Sequence, residues 1–162
     1  MSNTLKAILL IVLALALPCV INAKKPQKPK GNLIYVSYSI AKSAGLGKDY
    51  CELINENGSI DIVEVHNQDS RLAEETRHTY KATAADVQAI SKTLKSLKAW
   101  RLTNGSEDNV APGSVRFRVY MEYDSGEQIG SAWYGAGTKE QQVVLNAIQG
   151  FFHKRTMTAN PQ

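Results

Sequence analysis

The stretch Val115–Tyr134, VRFRVYMEYDSGEQIGSAWY, decides the fold. Both of its halves alternate apolar and polar side chains, the period of a strand with one buried face. Between them Asp124-Ser125-Gly126 reads as a three-residue hairpin loop, with Gly126 supplying the positive φ that such a loop needs. That loop pairs Tyr123 with Glu127. Met121 then falls opposite Ile129, Val119 opposite Ser131 and Phe117 opposite Trp133, so the apolar faces coincide. A two-residue loop would turn Ile129 and Trp133 onto the arginine face, because a slip of one residue inverts every side chain. The same register gathers Arg116, Arg118, Tyr120 and Glu122 on the opposite face with Tyr134, Ala132, Gly130 and Gln128. Arg116 lies opposite Tyr134. Tyr120 lies over Gly130, which leaves room for a flat partner.

Upstream, Leu33–Ile40 (LIYVSYSI) alternates with Ile34, Val36, Tyr38 and Ile40 on one face. Ala41–Lys48 reads as a loop. Tyr50–Ile54 and Ile60–His66 read as two strands around Asn55-Glu56-Asn57-Gly58, where Asn-Gly is a hairpin signal. Ile60 and Ile62 lie on one parity and Val63 and Val65 on the other. A bulge near Val63 or burial on both faces accounts for the switch. Gln68–Glu75 is a polar loop, and Thr76–Lys81 reads as a short fourth strand.

Thr83-Ala84-Ala85-Asp86 resembles a capping box and opens a helix whose buried stripe is Val87, Ile90, Leu94 and Leu97. Lys92, Lys95 and Lys98 face away from that stripe. Thr103–Ser114 is a long polar loop. Thr138-Lys139-Glu140-Gln141 is a second capping box. The helix it opens turns Val144, Ile148 and Phe151 to the core, with Leu145 and Phe152 flanking. The order ββββα-ββα predicts a single α+β domain, an antiparallel sheet of about six strands with two helices packed on one face.

The 162 residues amount to one domain's worth of chain. The net charge of +4 belongs to the N-terminal end. Lys6, Lys24, Lys25, Lys28 and Lys30 carry it. From Gly31 onward 14 Lys and Arg stand against 15 Asp and Glu. A nucleic-acid domain clusters its cations on a folded face, so no nucleic-acid partner is expected.

Ala7–Leu17 (AILLIVLALAL) is continuously apolar, and Ala23 suits the last position before a signal-peptidase cut. The rival reading is a short membrane anchor. The apolar run Ala7–Ile21 would span about 22 Å as a helix, short of a ~30 Å hydrocarbon core. Four lysines follow it, and such a flank opposes export of what lies beyond. The expected organisation is a signal peptide or short anchor over 1–23, a basic linker over 24–31, the α+β domain over 32–155, and a disordered end over 156–162. Cleavage would remove Cys19 and leave Cys51 without a disulfide partner, in a strand where a buried, inert thiol is expected.

No motif in the chain names a reaction. Gly45-Leu46-Gly47-Lys48 lacks the earlier glycine and the following Ser or Thr of a phosphate loop, and a strand follows it. Gly135-Ala136-Gly137-Thr138 does precede a helix, whose N-terminus can attract an anion, but the two glycines serve a turn. His66, His78 and His153 show no metal-ligand spacing, and Glu107-Asp108-Asn109 lacks the alternation of a calcium loop. No Gly-x-Ser-x-Gly is present. The expectation is therefore no catalytic residue, no cofactor and no metal. Arg116, Arg118, Tyr120, Glu122 and Tyr134 form the candidate partner-binding face, since interfaces favour Arg and Tyr.

These readings describe an exported protein, periplasmic or secreted, acting as a small non-catalytic binding module. Its partner would be a protein or an envelope polymer. The alternatives are a structural protein tethered to the membrane through residues 5–30, or a small hydrolase.

Overall fold

A computed structural model describes residues 26–42, 48–56, 59–67, 76–105, 111 and 113–158. The apolar leader, Gly45-Leu46-Gly47, the polar loop over 68–75 and Glu107-Asp108-Asn109 lie outside the described residues. No helix among the described residues is long and apolar enough to cross a membrane.

The chain forms β1 (Leu33–Lys42), β2 (Lys48–Glu56), β3 (Ser59–Asn67), β4 (Thr76–Lys81), helix α1 (Ala84–Ser96), β5 (Val115–Tyr123), β6 (Gln128–Tyr134) and helix α2 (Lys139–Thr158). A short 3₁₀ turn, Ala99–Arg101, follows α1. The strands make one six-stranded sheet in the order β4-β3-β2-β1-β5-β6. Every neighbouring pair is antiparallel. The first four strands form a meander. The chain then returns through α1 and places β5 against the free side of β1, with β6 outermost.

The β5–β6 register is the one that the loop chemistry predicts. Phe117 pairs with Trp133, Val119 with Ser131 and Met121 with Ile129. The Gly126 N–H bonds Tyr123 O at 2.9 Å, and Gly126 sits at φ +88°.

The two helices pack on one face of the sheet. Their buried stripes, Val87, Ile90 and Leu94 from α1 and Val144, Leu145, Ile148 and Phe152 from α2, meet Val36, Leu53, Ile62, Val119, Met121 and Trp133. Both helices start with the capping boxes written in the sequence. Thr83 N–H donates to Asp86 Oδ2 at 2.8 Å, and Asp86 N–H to Thr83 Oγ1. Thr138 N–H donates to Gln141 Oε1 at 2.7 Å, and Gln141 N–H returns to Thr138 Oγ1. Asp86 is buried, and the Arg155 guanidinium, near the end of α2, meets its other oxygen. Gln141 is buried too and donates to Thr103 O and Ser131 Oγ, tying α2 to β6 and to the segment after the 3₁₀ turn.

Several expectations are corrected by the sheet. Ile34 does not continue the alternation of Val36, Tyr38 and Ile40. The β1–β5 register shifts between Leu33 and Tyr35, and Leu33, not Ile34, is the fully buried residue. Ala41, Lys42 and Lys48 belong to strands, because β5 and β2 supply partners for the end of β1. The β2–β3 register runs unbroken from Lys48 to Glu56, so Val63 and Val65 reflect two-sided burial and not a bulge.

The folded part also begins before residue 32. Pro29 is buried, and the Lys30 N–H donates to Glu127 Oε1. Asn32 bonds Asp124 three times: N–H to Oδ1 at 2.8 Å, Nδ2 to Oδ2 at 2.9 Å, and the Asp124 N–H back to Asn32 O. The end of the basic segment is thus a strap laid on the β5–β6 turn. At the other terminus α2 runs on to Thr158, past the boundary at 155.

Candidate functional site: the open face of the sheet

Because both helices cover one face, the other face is open along β2, β1, β5 and β6 among the described residues. Strand alternation decides what it carries. On β5 it carries Arg116, Arg118, Tyr120 and Glu122, and on β6 Tyr134, all as the hairpin register implies. The structure therefore brings the five sequence-predicted residues onto one face. It then adds residues that the hairpin alone could not supply. Ser37 pairs with Tyr120 and Ser39 with Arg118, while Tyr35 pairs with Glu122. On the far side of β1, Glu52 pairs with Ser37 and Tyr50 with Ser39.

These side chains line a hollow of about 570 Å³, bounded by Tyr35, Tyr50 and Tyr120 and by Lys48, Arg118, Glu52 and Glu122. A second hollow of about 540 Å³ adjoins it and shares Arg118 and Tyr120 with it. Gly130 and Ala132 floor the second hollow, and Asn104 and Arg116 stand at its edge. A Cβ on Gly130 would lie 3.4 Å from the Tyr120 ring, so glycine lets that ring lie close to the β6 backbone.

The face is ordered by its own contacts. The Tyr35 hydroxyl donates to Glu52 Oε2 at 2.6 Å, and the Tyr120 hydroxyl to Glu122 Oε1 at 2.5 Å. Gln128 Nε2 donates to the same Glu122 oxygen at 3.2 Å. Burial, then the bond to Glu52, pushes the Tyr35 hydroxyl well above its ordinary pKa. For Tyr120 the bond to Glu122 comes first, with burial adding to it. Both phenols therefore stay neutral donors at physiological pH. Cations lie over three rings: Lys48 over Tyr50 at 4.8 Å, Arg118 over Tyr120 at 5.7 Å and Arg116 over Tyr134 at 5.8 Å. The long side chains are thereby held in place, which would lower the ordering cost of any binding there.

The outer edge of β6 is not left bare. The Gly105 N–H bonds Ala132 O at 2.8 Å, and Asn104 Oδ1 accepts from the Ala132 N–H at 3.1 Å. This strip blunts an edge that could otherwise pair with another chain. Recognition on this side would fall to the face.

The remaining candidates from the sequence separate on geometry. Cys51 is buried on the helix side, 3.4 Å from Tyr38 Oη and 4.0 Å from Glu64 Oε1. Burial pushes its thiol up to about 11. His66 lies near by on β3, but its ring nitrogens address Asp49 Oδ1 at 3.0 Å and Glu64 Oε1 at 3.4 Å. The arrangement offers no activated thiolate, since a nucleophilic cysteine needs a lowered pKa or an adjacent base. His78 packs by Tyr80, and His153 is exposed on α2. Among the described residues no group of three or more His, Cys, Asp or Glu gathers as a metal site. Gly135 and Gly137 both sit at φ +66°, the left-handed conformation a turn into a helix uses. The capping box already takes the N–H groups of Thr138 and Gln141 at the start of α2. No protein-family model matches the chain, and no curated protein matches it.

Proposed function

We propose that the protein is a small non-catalytic binding module that acts outside the cytoplasm and takes a protein or envelope-polymer partner on the open face of its sheet. The observation that carries this reading is the pair of adjoining hollows, with Tyr120 and Arg118 shared between them. Tyrosine and arginine are the residues on which interface energy concentrates, most of all near the centre of a patch. The hydroxyl–carboxylate bonds and stacked cations prepare the face for recognition. They keep the Tyr35 and Tyr120 hydroxyls as neutral donors bonded to carboxylates. The export part of the reading rests on the leader Ala7–Leu17 and Ala23.

Arg118→Glu tests the proposal. Arg118 is exposed and contacts the Tyr120 ring, so the substitution leaves the core intact. The probe is the envelope fraction of the producing cells. The wild-type protein should co-sediment with it, and Arg118→Glu should stay in the supernatant with a melting temperature close to wild type. Equal co-sedimentation of the two proteins would overturn the open face as the binding surface.

A further inference from the structure

On the helix side of the sheet, away from the open face, α1 leaves a groove of about 610 Å³ between itself and the starts of β1 and β3. Its volume lies within the ~300–1,000 Å³ typical of small-molecule sites. The floor is apolar: Leu33 and Val87 are buried there, and Ile34 and Ile60 are half-buried. Leu33 and Ile34 are consecutive, and consecutive residues of a regular strand face opposite ways. Both line the groove, at the register shift between Leu33 and Tyr35.

The rim is cationic. Lys92 and Lys95 stand three residues apart on α1, so they lie side by side along the groove. Neither forms a salt bridge with a described residue. Asp124, the one carboxylate among the described residues on the rim, is held first by the N–H and side-chain amide of Asn32, with a weaker attraction from Lys95. An apolar floor with two lysines at its edge complements a ligand that has a hydrocarbon body and a negative head.

We propose that this groove binds a long-chain carboxylate, with the acyl chain on Leu33, Ile34, Ile60 and Val87 and the carboxylate at Lys92 and Lys95. The site is independent of the open face.

The test uses the purified protein and the fluorescent fatty acid 11-(dansylamino)undecanoic acid. Its emission should rise on binding, and hexadecanoate should displace it. Hexadecyltrimethylammonium has the same chain and the opposite charge, and should compete about 10-fold less well. Lys92→Glu/Lys95→Glu should weaken hexadecanoate by about 10-fold or more and reverse that preference. Gln88→Trp, at an exposed position on the groove, should block the probe by filling space. Arg118→Glu should bind as wild type. If the double glutamate variant fails to fold, Lys92→Gln/Lys95→Gln with Gln88→Trp decides the matter. No emission change, equal competition by the cationic chain, or binding untouched by the folded variants would each overturn the proposal. Co-sedimentation with phosphatidylglycerol vesicles without displacement of the probe would assign the lysines to a membrane surface and overturn it as well.

Discussion

Tyr35 and Tyr120 meet edge to face across the β1–β5 pair, their ring centroids 5.9 Å apart and their planes at 66°. Each hydroxyl reaches a carboxylate on a different side, Glu52 on β2 and Glu122 on β5. The contact therefore joins the meander of the first four strands to the last hairpin at the middle of the open face. It exists only because β5 crosses back to the free side of β1, the one pairing in the sheet between strands far apart in the chain.

That pairing marks the limit of what the sequence discloses. The β5–β6 register follows from three loop residues and the requirement that apolar faces agree, both local. The helix starts follow from Thr83 with Asp86 and Thr138 with Gln141, again local. The polar set Tyr35, Ser37 and Ser39 was visible as the opposite parity of Val36, Tyr38 and Ile40. Nothing local says that this parity would stand beside Arg118 and Tyr120, because strand order depends on long-range packing. The same long-range packing brings Glu52 and Tyr50 to this face. The strap is not legible locally, because Lys24–Gly31 has the composition of a solvated linker and its docking rests on one buried proline, one close glycine and the carboxylates of a distant turn.

The strap yields a first prediction. A Cβ on Gly31 would collide with the Ser125 side chain and lie 2.7 Å from the Ser125 backbone nitrogen. Gly31→Ala should therefore lift the strap or distort the turn, at about 1–3 kcal/mol in urea denaturation. Truncation to a start at Pro29 should leave stability near wild type, and truncation through Asn32 should not. A Gly31→Ala protein as stable as wild type would show that the strap is not packed on this turn.

The same contact should respond to acid. The bonds from Asn32 hold the Asp124 carboxyl below its ordinary value of 3.8, and those from Ser125 and Lys30 hold Glu127 below 4.5. A carboxyl depressed in the folded state adds stability above its unfolded pKa and loses it as pH falls through the folded value. Protection of the Asn32 and Lys30 amides, measured by hydrogen exchange relative to intrinsic rates, should be full at pH 6 and fall below about pH 4. Asp124→Asn should flatten the change at Asn32. Protection that stays constant until the whole domain unfolds would contradict this.

Cys51 should be inert in the folded protein. Its thiol is buried and its pKa stands at about 11. Iodoacetamide labelling, followed at the peptide that contains Cys51, should be slow at pH 7.5 and become fast in urea. Labelling of the native protein at the rate of a free thiol would mean that the thiol is accessible and activated.

Lys98 holds a left-handed conformation, φ +55°, just past the end of α1. That position favours glycine, since a side chain there costs about 1 kcal/mol or more. Lys98→Gly should raise stability by a few tenths to about 1 kcal/mol, read as a higher urea midpoint with an unchanged slope. A loss of stability would mean that the lysine makes a contact that outweighs its backbone strain.

On the proposed function, partners meet the open face and not the helices. It is tested most directly by placing the photo-cross-linker p-benzoylphenylalanine, one site at a time, in the natively producing cell. Ser39, Arg118 and Ala132 sample the open face, and Val143 and Asn146 sample exposed positions of α2. A discrete adduct is expected from the three sheet positions, absent from the two helix positions and lost when Tyr120→Ala is added. Adducts from α2 alone, or from all five positions alike, would contradict it.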